Sequence, residues 1–142
     1  MMESNASILV IEDSDEDFEV IRWSLKASGF KYHLLRATRS EDVWDRLPSS
    51  KSLSQSNLPR LIMLDLSLPG LGGREILRQI KTSEEYGLIP VVILSTSNNP
   101  RDIRACYQLG ASGYICKPLG LTNFSEKIKC LIHYWFETVE MP

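Results

Sequence analysis

The chain has 142 residues, 43% of them hydrophobic and 24% charged, with a net charge of −2. That is the length of one domain, with enough apolar material for a core. The near-neutral balance gives no reason to expect nucleic acid or an anionic membrane as a partner, and no apolar run approaches the roughly 20 residues that span a bilayer. The opening segment, Met1 to Ser7, is polar and lacks the apolar stretch of a signal peptide. Cys106, Cys116 and Cys130 form an odd set without CxxC spacing. They read as free thiols in a reducing, cytoplasmic setting.

The apolar run Ile8-Leu-Val-Ile11 predicts a first strand. Residues 15–28 carry Phe18, Ile21 and Leu25 at helical spacing, with Ser14 as N-cap and Gly29 as stop. Residues 32–36 read as a second strand and 39–47 as a short helix. The serine-rich, proline-bracketed stretch 48–59 reads as a long solvated loop. Leu61-Ile-Met-Leu64 is a third strand, followed by a Pro/Gly loop and a helix over 74–82. Pro90 to Leu94 is a fourth strand. Asn99-Pro100 opens a helix with Asn as cap and Pro at the first position, and Gly110 stops it. Gly113-Tyr-Ile-Cys116 is a fifth strand, and a last helix covers about 121–136. No repeat or compositional break divides the chain.

Five strands alternate with five helices, and three of the strands are apolar on both faces, as in a parallel sheet covered on both sides. The expected fold is therefore an α/β, doubly wound, five-stranded parallel sheet over residues 7–136. Residues 1–6 and 137–142 are read as tails.

Ligands of such sheets bind outside the carboxyl ends of the strands. There the sequence places Glu12 and Asp13 after the first strand, Asp65 after the third, Ser95 and Thr96 after the fourth, and Lys117-Pro118 after the fifth. Clustered carboxylates suit a hard cation such as Mg²⁺. A carboxylate can act as a nucleophile towards phosphorus, with a lysine and a hydroxyl meeting the phosphoryl oxygens. Each residue also has an ordinary reading: Glu12-Asp13 begins an acidic run at a helix N-terminus, favoured by the helix dipole. The convergence of four strand ends favours the site.

These residues give the chain its resemblance to the receiver domain of two-component response regulators, in a sheet of order 2-1-3-4-5. The motifs are Ile-Glu12-Asp13, Met-Leu-Asp65-Leu-Ser-Leu-Pro69-Gly70, Leu-Ser95-Thr96 and Gly113-Tyr-Ile-Cys-Lys117-Pro118. The resemblance implies Asp65 as phospho-acceptor. It implies Asp13, Glu12, Asp65 and the Ser67 backbone carbonyl as the Mg²⁺ site, where Mn²⁺ or Ca²⁺ could substitute in a crystal. Ser95, or Thr96 beside it, matches the switch hydroxyl, Tyr114 the switch aromatic, and Lys117 the phosphoryl-binding lysine. It also implies a cis Lys117–Pro118 bond. Glu12 stands where Asp is commoner, and Ser95 where Thr is.

Gly73-Arg-Glu-Ile-Leu-Arg-Gln-Ile-Lys, Ile89-Pro-Val-Val-Ile-Leu-Ser-Thr-Ser and the tail Ile132-His-Tyr-Trp-Phe136 look like the small response regulators paired with cyanobacterial phytochromes. The implied partner is a sensor histidine kinase of the bacterial phytochrome type, and the implied role is a switch with self-catalysed phosphotransfer and slow autodephosphorylation. No output domain is expected after Phe136, so the switch would signal through a downstream protein that the sequence does not name. Tyr134, Trp135 and Phe136 in succession suit a homodimer or partner surface; the other reading packs two of them internally and exposes the third. A haloacid-dehalogenase-type phosphatase needs a second acid two residues after its aspartate, where this chain has Ser67. Neither GxGxxG nor GxxxxGK[ST] is present.

Overall fold

The computed structural model describes residues 6–48 and 58–140. Most of the serine-rich stretch, at 49–57, lies outside the described residues, as do the first five and last two residues.

The elements in chain order are β1 (Ser7–Ile11), α1 (Asp15–Ala27), β2 (His33–Ala37), a 3₁₀ turn (Ser40–Asp42) leading into α2 (Val43–Arg46), β3 (Leu61–Asp65), α3 (Gly73–Thr82), β4 (Val91–Ser95), α4 (Pro100–Gln108), β5 (Gly113–Cys116) and α5 (Leu121–His133), with a π-type turn over Tyr134–Thr138. All five strands are parallel, in the order β2-β1-β3-β4-β5. The expected fold and strand order are both observed. Strand boundaries differ from the expected ones by about one residue, and the short helix at 39–47 divides into a 3₁₀ turn and a single α-helical turn.

The alternation of side chains along each strand divides the core in two. Leu9, Ile11, Ile62, Leu64, Val91 and Ile93 point to one face, where Val43, Ile76, Leu77, Ile80 and Cys106 from α2, α3 and α4 cover them. Ile8, Val10, Leu61, Met63, Val92 and Leu94 point to the other, covered by Ile21 and Leu25 of α1 and Phe124, Ile128 and Ile132 of α5. Each fully buried Leu or Ile contributes roughly 1.5–3 kcal/mol. Two filled faces therefore fix the sheet's register, and with it the positions of the residues at its carboxyl edge.

The helix caps follow the sequence. Ser14 Oγ accepts from the Asp17 N–H at the start of α1, and Asn99 Oδ1 accepts from the Arg101 N–H at the start of α4, ahead of Pro100 at N1. Gly73 opens α3 by close approach: a Cβ there would lie 2.6 Å from Leu66 Cα and 2.7 Å from the Asp65 carbonyl oxygen. This lets α3 begin directly against the end of β3.

Candidate functional site

Four strand ends build the site. Glu12 follows β1, Asp65 and Ser95 are the last residues of β3 and β4, and Lys117 follows β5. The backbone of Glu12 is held by the β2 side, because its N–H donates to the Ala37 carbonyl at 3.0 Å and its own carbonyl accepts from Arg36 Nε at 3.0 Å. Its buried carboxyl accepts from the Ser14 N–H through Oε2 at 3.3 Å and from Lys117 Nζ through Oε1 at 2.9 Å. Asp65 is also buried, with Oδ1 accepting from the Ser67 N–H at 3.0 Å. Asp13 is exposed at the mouth. Carboxylate oxygens of Glu12, Asp13 and Asp65 all lie within 4.8 Å of one another.

Lys117 ties the rim together. Its N–H donates to the Ser95 carbonyl at 2.6 Å, so its backbone continues the β4–β5 ladder. Its side chain is only 9% exposed, and its ammonium lies 2.9 Å from Glu12, 2.7 Å from Asp17 and 3.6 Å from Asp65. The cis Lys117–Pro118 bond expected from the resemblance is not found: every described peptide bond is trans. Trans is the ordinary preference of an X–Pro bond, and the β4–β5 ladder already aims the lysine at the acids without a reversed turn.

The charges on these groups are strongly perturbed. Burial pushes the Glu12 carboxyl up to about 8; the hydrogen-bonding contribution of Asp65 adds to the rise, and Lys117 opposes it. Burial works against the charge on Lys117, but the hydrogen bonds it donates to Asp17 and Glu12 outweigh it and hold the ammonium above the ordinary lysine range. The lysine charge is therefore secure, and Glu12 is an acid whose charge depends on its surroundings. Two buried carboxyls and one exposed, all oxygen donors within a few ångströms, suit a hard divalent cation.

Beside Asp65, the buried Ser95 accepts the Ser97 N–H on its Oγ at 3.1 Å, while Thr96 is exposed. Tyr114 is half-buried against the core, and its hydroxyl donates to the Ser97 carbonyl at 2.9 Å. Ser97 Oγ donates to Asp102 Oδ2 at 2.5 Å, and Asp102 in turn pairs with Arg74. Ser95 and Tyr114 thus meet at one residue of the loop before α4.

The aromatic tail lies elsewhere. Phe136 packs on Tyr32, with ring centroids 4.5 Å apart, near the start of β2 and so at the end of the sheet opposite the acids. Trp135 and Phe136 are half-buried against the core, and of the three only Tyr134 is largely exposed, at 55%. A continuous exposed strip of three rings is therefore not what forms. After His133 the helix widens, the Val139 N–H bonds to the Tyr134 carbonyl at 3.0 Å, and the altered phase lets two rings reach the domain.

Asp17 is the functional neighbour that the sequence reading passed over. It sits in the first turn of α1, inside the acidic run Glu12 to Asp17. Its signal was its position three residues after the N-cap Ser14, where a capping-box acid ordinarily turns back to the cap N–H. Here Glu12 takes that N–H, and the Asp17 carboxylate is left to meet Lys117.

Residues 8–129 match the model of the response regulator receiver domain. The chain is 34% identical over 135 residues to response regulator Rcp1 of the cyanobacterium Synechocystis, covering 95% of this chain and 92% of that protein. In structure it is similar to the phosphorylated cyanobacterial phytochrome response regulator RcpA, with 31% identity, a TM-score of 0.87 and coverage of 97% of this chain and 99% of that one. The Mn²⁺-bound form of Rcp1 gives 32% identity, a TM-score of 0.85 and coverage of 96% and 99%.

Proposed function

The chain belongs to the response regulator receiver domain family, and from that membership we propose that it is a phospho-accepting signalling switch with Asp65 as the acceptor. The observation that carries this reading is one cluster: the Glu12, Asp13 and Asp65 carboxylates within 4.8 Å of one another, with the Lys117 ammonium 3.6 Å from Asp65.

The chemistry follows from the parts. An oxygen of the Asp65 carboxylate attacks the phosphorus of a phosphohistidine. A P–O bond forms, the P–N bond breaks, and the imidazole leaves with the bonding electrons. Mg²⁺, held by Glu12, Asp13 and Asp65 with the Ser67 carbonyl, would offset the charge of the incoming phosphoryl group. The Ser67 N–H fixes one Asp65 oxygen and so limits the carboxylate's rotation. Lys117 lies within a short movement of a phosphoryl oxygen on Asp65. The Ser95 hydroxyl accepts from Ser97 and keeps its own hydrogen for a second phosphoryl oxygen. Drawing Ser95 towards Asp65 would pull Ser97, and with it the Tyr114 hydroxyl and the start of α4.

The donor is proposed to be a cytoplasmic histidine kinase of the phytochrome type, on the similarity to RcpA and Rcp1. The domain catalyses its own phosphorylation and slow dephosphorylation, and it signals by docking to another protein, as a homodimer. The test is labelling with acetyl phosphate, with and without Mg²⁺. One acid-stable, base-labile phosphoryl group is expected only with the metal, and none in Asp65→Asn. Labelling that persists in that variant removes Asp65 as the acceptor.

A further inference from the structure

We propose that Asp17 is a positioning residue for Lys117: it holds the ammonium on the α1 side of the acid cluster and keeps it from neutralising Asp65. The inference rests on the phospho-acceptor reading and adds to it a residue outside the acceptor and metal groups.

Lys117 faces three acids at unequal distances. Asp17 is nearest at 2.7 Å and Glu12 next at 2.9 Å, while Asp65 lies at 3.6 Å, beyond a good hydrogen bond. Asp17 is 25% exposed and Lys117 9%, so the contact is largely shielded from water and from screening. The two residues lie 100 positions apart and join the first turn of α1 to the segment after β5. Nothing in helix capping requires the contact. The Asp17 N–H satisfies Ser14 Oγ, and the Ser14 N–H, the usual target of an acid at this position, is taken by Glu12. The Asp17 carboxylate is thereby free to accept from the lysine.

The consequence is a division of labour among like charges. A lysine seated on Asp65 would compete with a divalent cation for the same oxygens. With Asp17 as its anchor, Lys117 stays within reach of a phosphoryl oxygen without occupying the acceptor. Asp17 therefore sets how much of the lysine's charge the metal must displace.

The experiment is a double-mutant cycle read by Mg²⁺ titration of the full chain, using wild type, Asp17→Asn, Lys117→Gln and the double variant. Asp17→Asn is expected to weaken Mg²⁺ binding roughly five- to tenfold, within the range for groups of one ion-pair network, because the released lysine settles on Glu12 and Asp65. In the Lys117→Gln background the same change is expected to alter Mg²⁺ binding by less than about twofold, since there is no lysine to release. Equal losses in both backgrounds would show that Asp17 acts on the metal through its own charge or through the helix fold, and no loss in either would remove its role; either result overturns the proposal. A melting curve for each variant separates a folding defect, which would follow Asp17→Asn in both backgrounds. If wild type binds no Mg²⁺ at all, the phospho-acceptor reading itself fails. If it binds Mg²⁺ without the coupling, only the role of Asp17 falls.

Discussion

The hydroxyl of Tyr114 donates to the carbonyl of Ser97 at 2.9 Å, and the N–H of that same Ser97 donates to the hydroxyl of Ser95 at 3.1 Å. One residue of the loop before α4 therefore connects the strand-end hydroxyl beside Asp65 to an aromatic ring on β5. Tyr114→Phe keeps the ring and removes the bond. The expected loss is about 1 kcal/mol in urea denaturation. Labelling of Asp65 should persist, while the phosphorylation-dependent change in amide exchange across residues 96–103 should shrink. An undiminished exchange response would detach Tyr114 from the switch.

Glu12 makes the metal-free protein sensitive to pH. Its folded pKa of about 8 stands above its ordinary 4.5, so between those values the folded state holds a proton that the unfolded state has lost. Its contribution therefore weakens stability as pH rises through that window, by on the order of a few kcal/mol in total. Lys117 does not mask this. Its raised pKa gives stability that is present below the ordinary lysine value of 10.5 and lost only above it. Denaturation midpoints measured in chelator from pH 5 to 8 should fall in wild type and be flatter in Glu12→Gln. Parallel curves for the two proteins would show that Glu12 is not the titrating group.

Gly73→Ala should damage the site from outside it. The added methyl meets Leu66 Cα at 2.6 Å and the Asp65 carbonyl at 2.7 Å, both backbone atoms with little room to move. Overpacking of this kind costs about 1–3 kcal/mol, and relief requires Asp65 or the start of α3 to shift. Both the melting temperature and the rate of labelling by acetyl phosphate are expected to drop. A drop in stability with an unchanged rate would show that α3 alone moves.

The aromatic tail offers a clean separation. Tyr134 is largely exposed, whereas Trp135 and Phe136 pack on their own domain. If the tail forms the homodimer, Tyr134→Glu should yield monomers in light scattering with little loss of stability. Trp135→Ala should instead destabilise the fold by about 1–3 kcal/mol, less than a full core Trp→Ala. Dimers that survive Tyr134→Glu would place the interface elsewhere.

The strand-end residues were readable from sequence because a parallel sheet covered on both faces leaves its ligands only the carboxyl edge. Apolar runs such as Leu61 to Leu64 mark where that edge begins. Asp17 was not readable, since an acid in the first turn of a helix already has an ordinary reason to be there; its partner comes from the far end of the chain. The cis Lys117–Pro118 bond was carried over from the family resemblance, whereas the bond here is trans and the Lys117 N–H continues the ladder to Ser95. Beyond the widening after His133, Phe136 meets Phe30 and Tyr32. That is a tertiary contact that helical periodicity does not contain.

The Ser14 N–H rests on a Glu12 carboxyl oxygen, while the Ser14 hydroxyl holds the first turn of α1. One residue thus touches the acid cluster through its backbone and the helix through its side chain. Any ligand that turns the Glu12 carboxyl towards itself takes away the partner of that amide. The Ser14 amide proton is therefore a built-in reporter, its resonance registering the state of the cluster from within the helix that begins there.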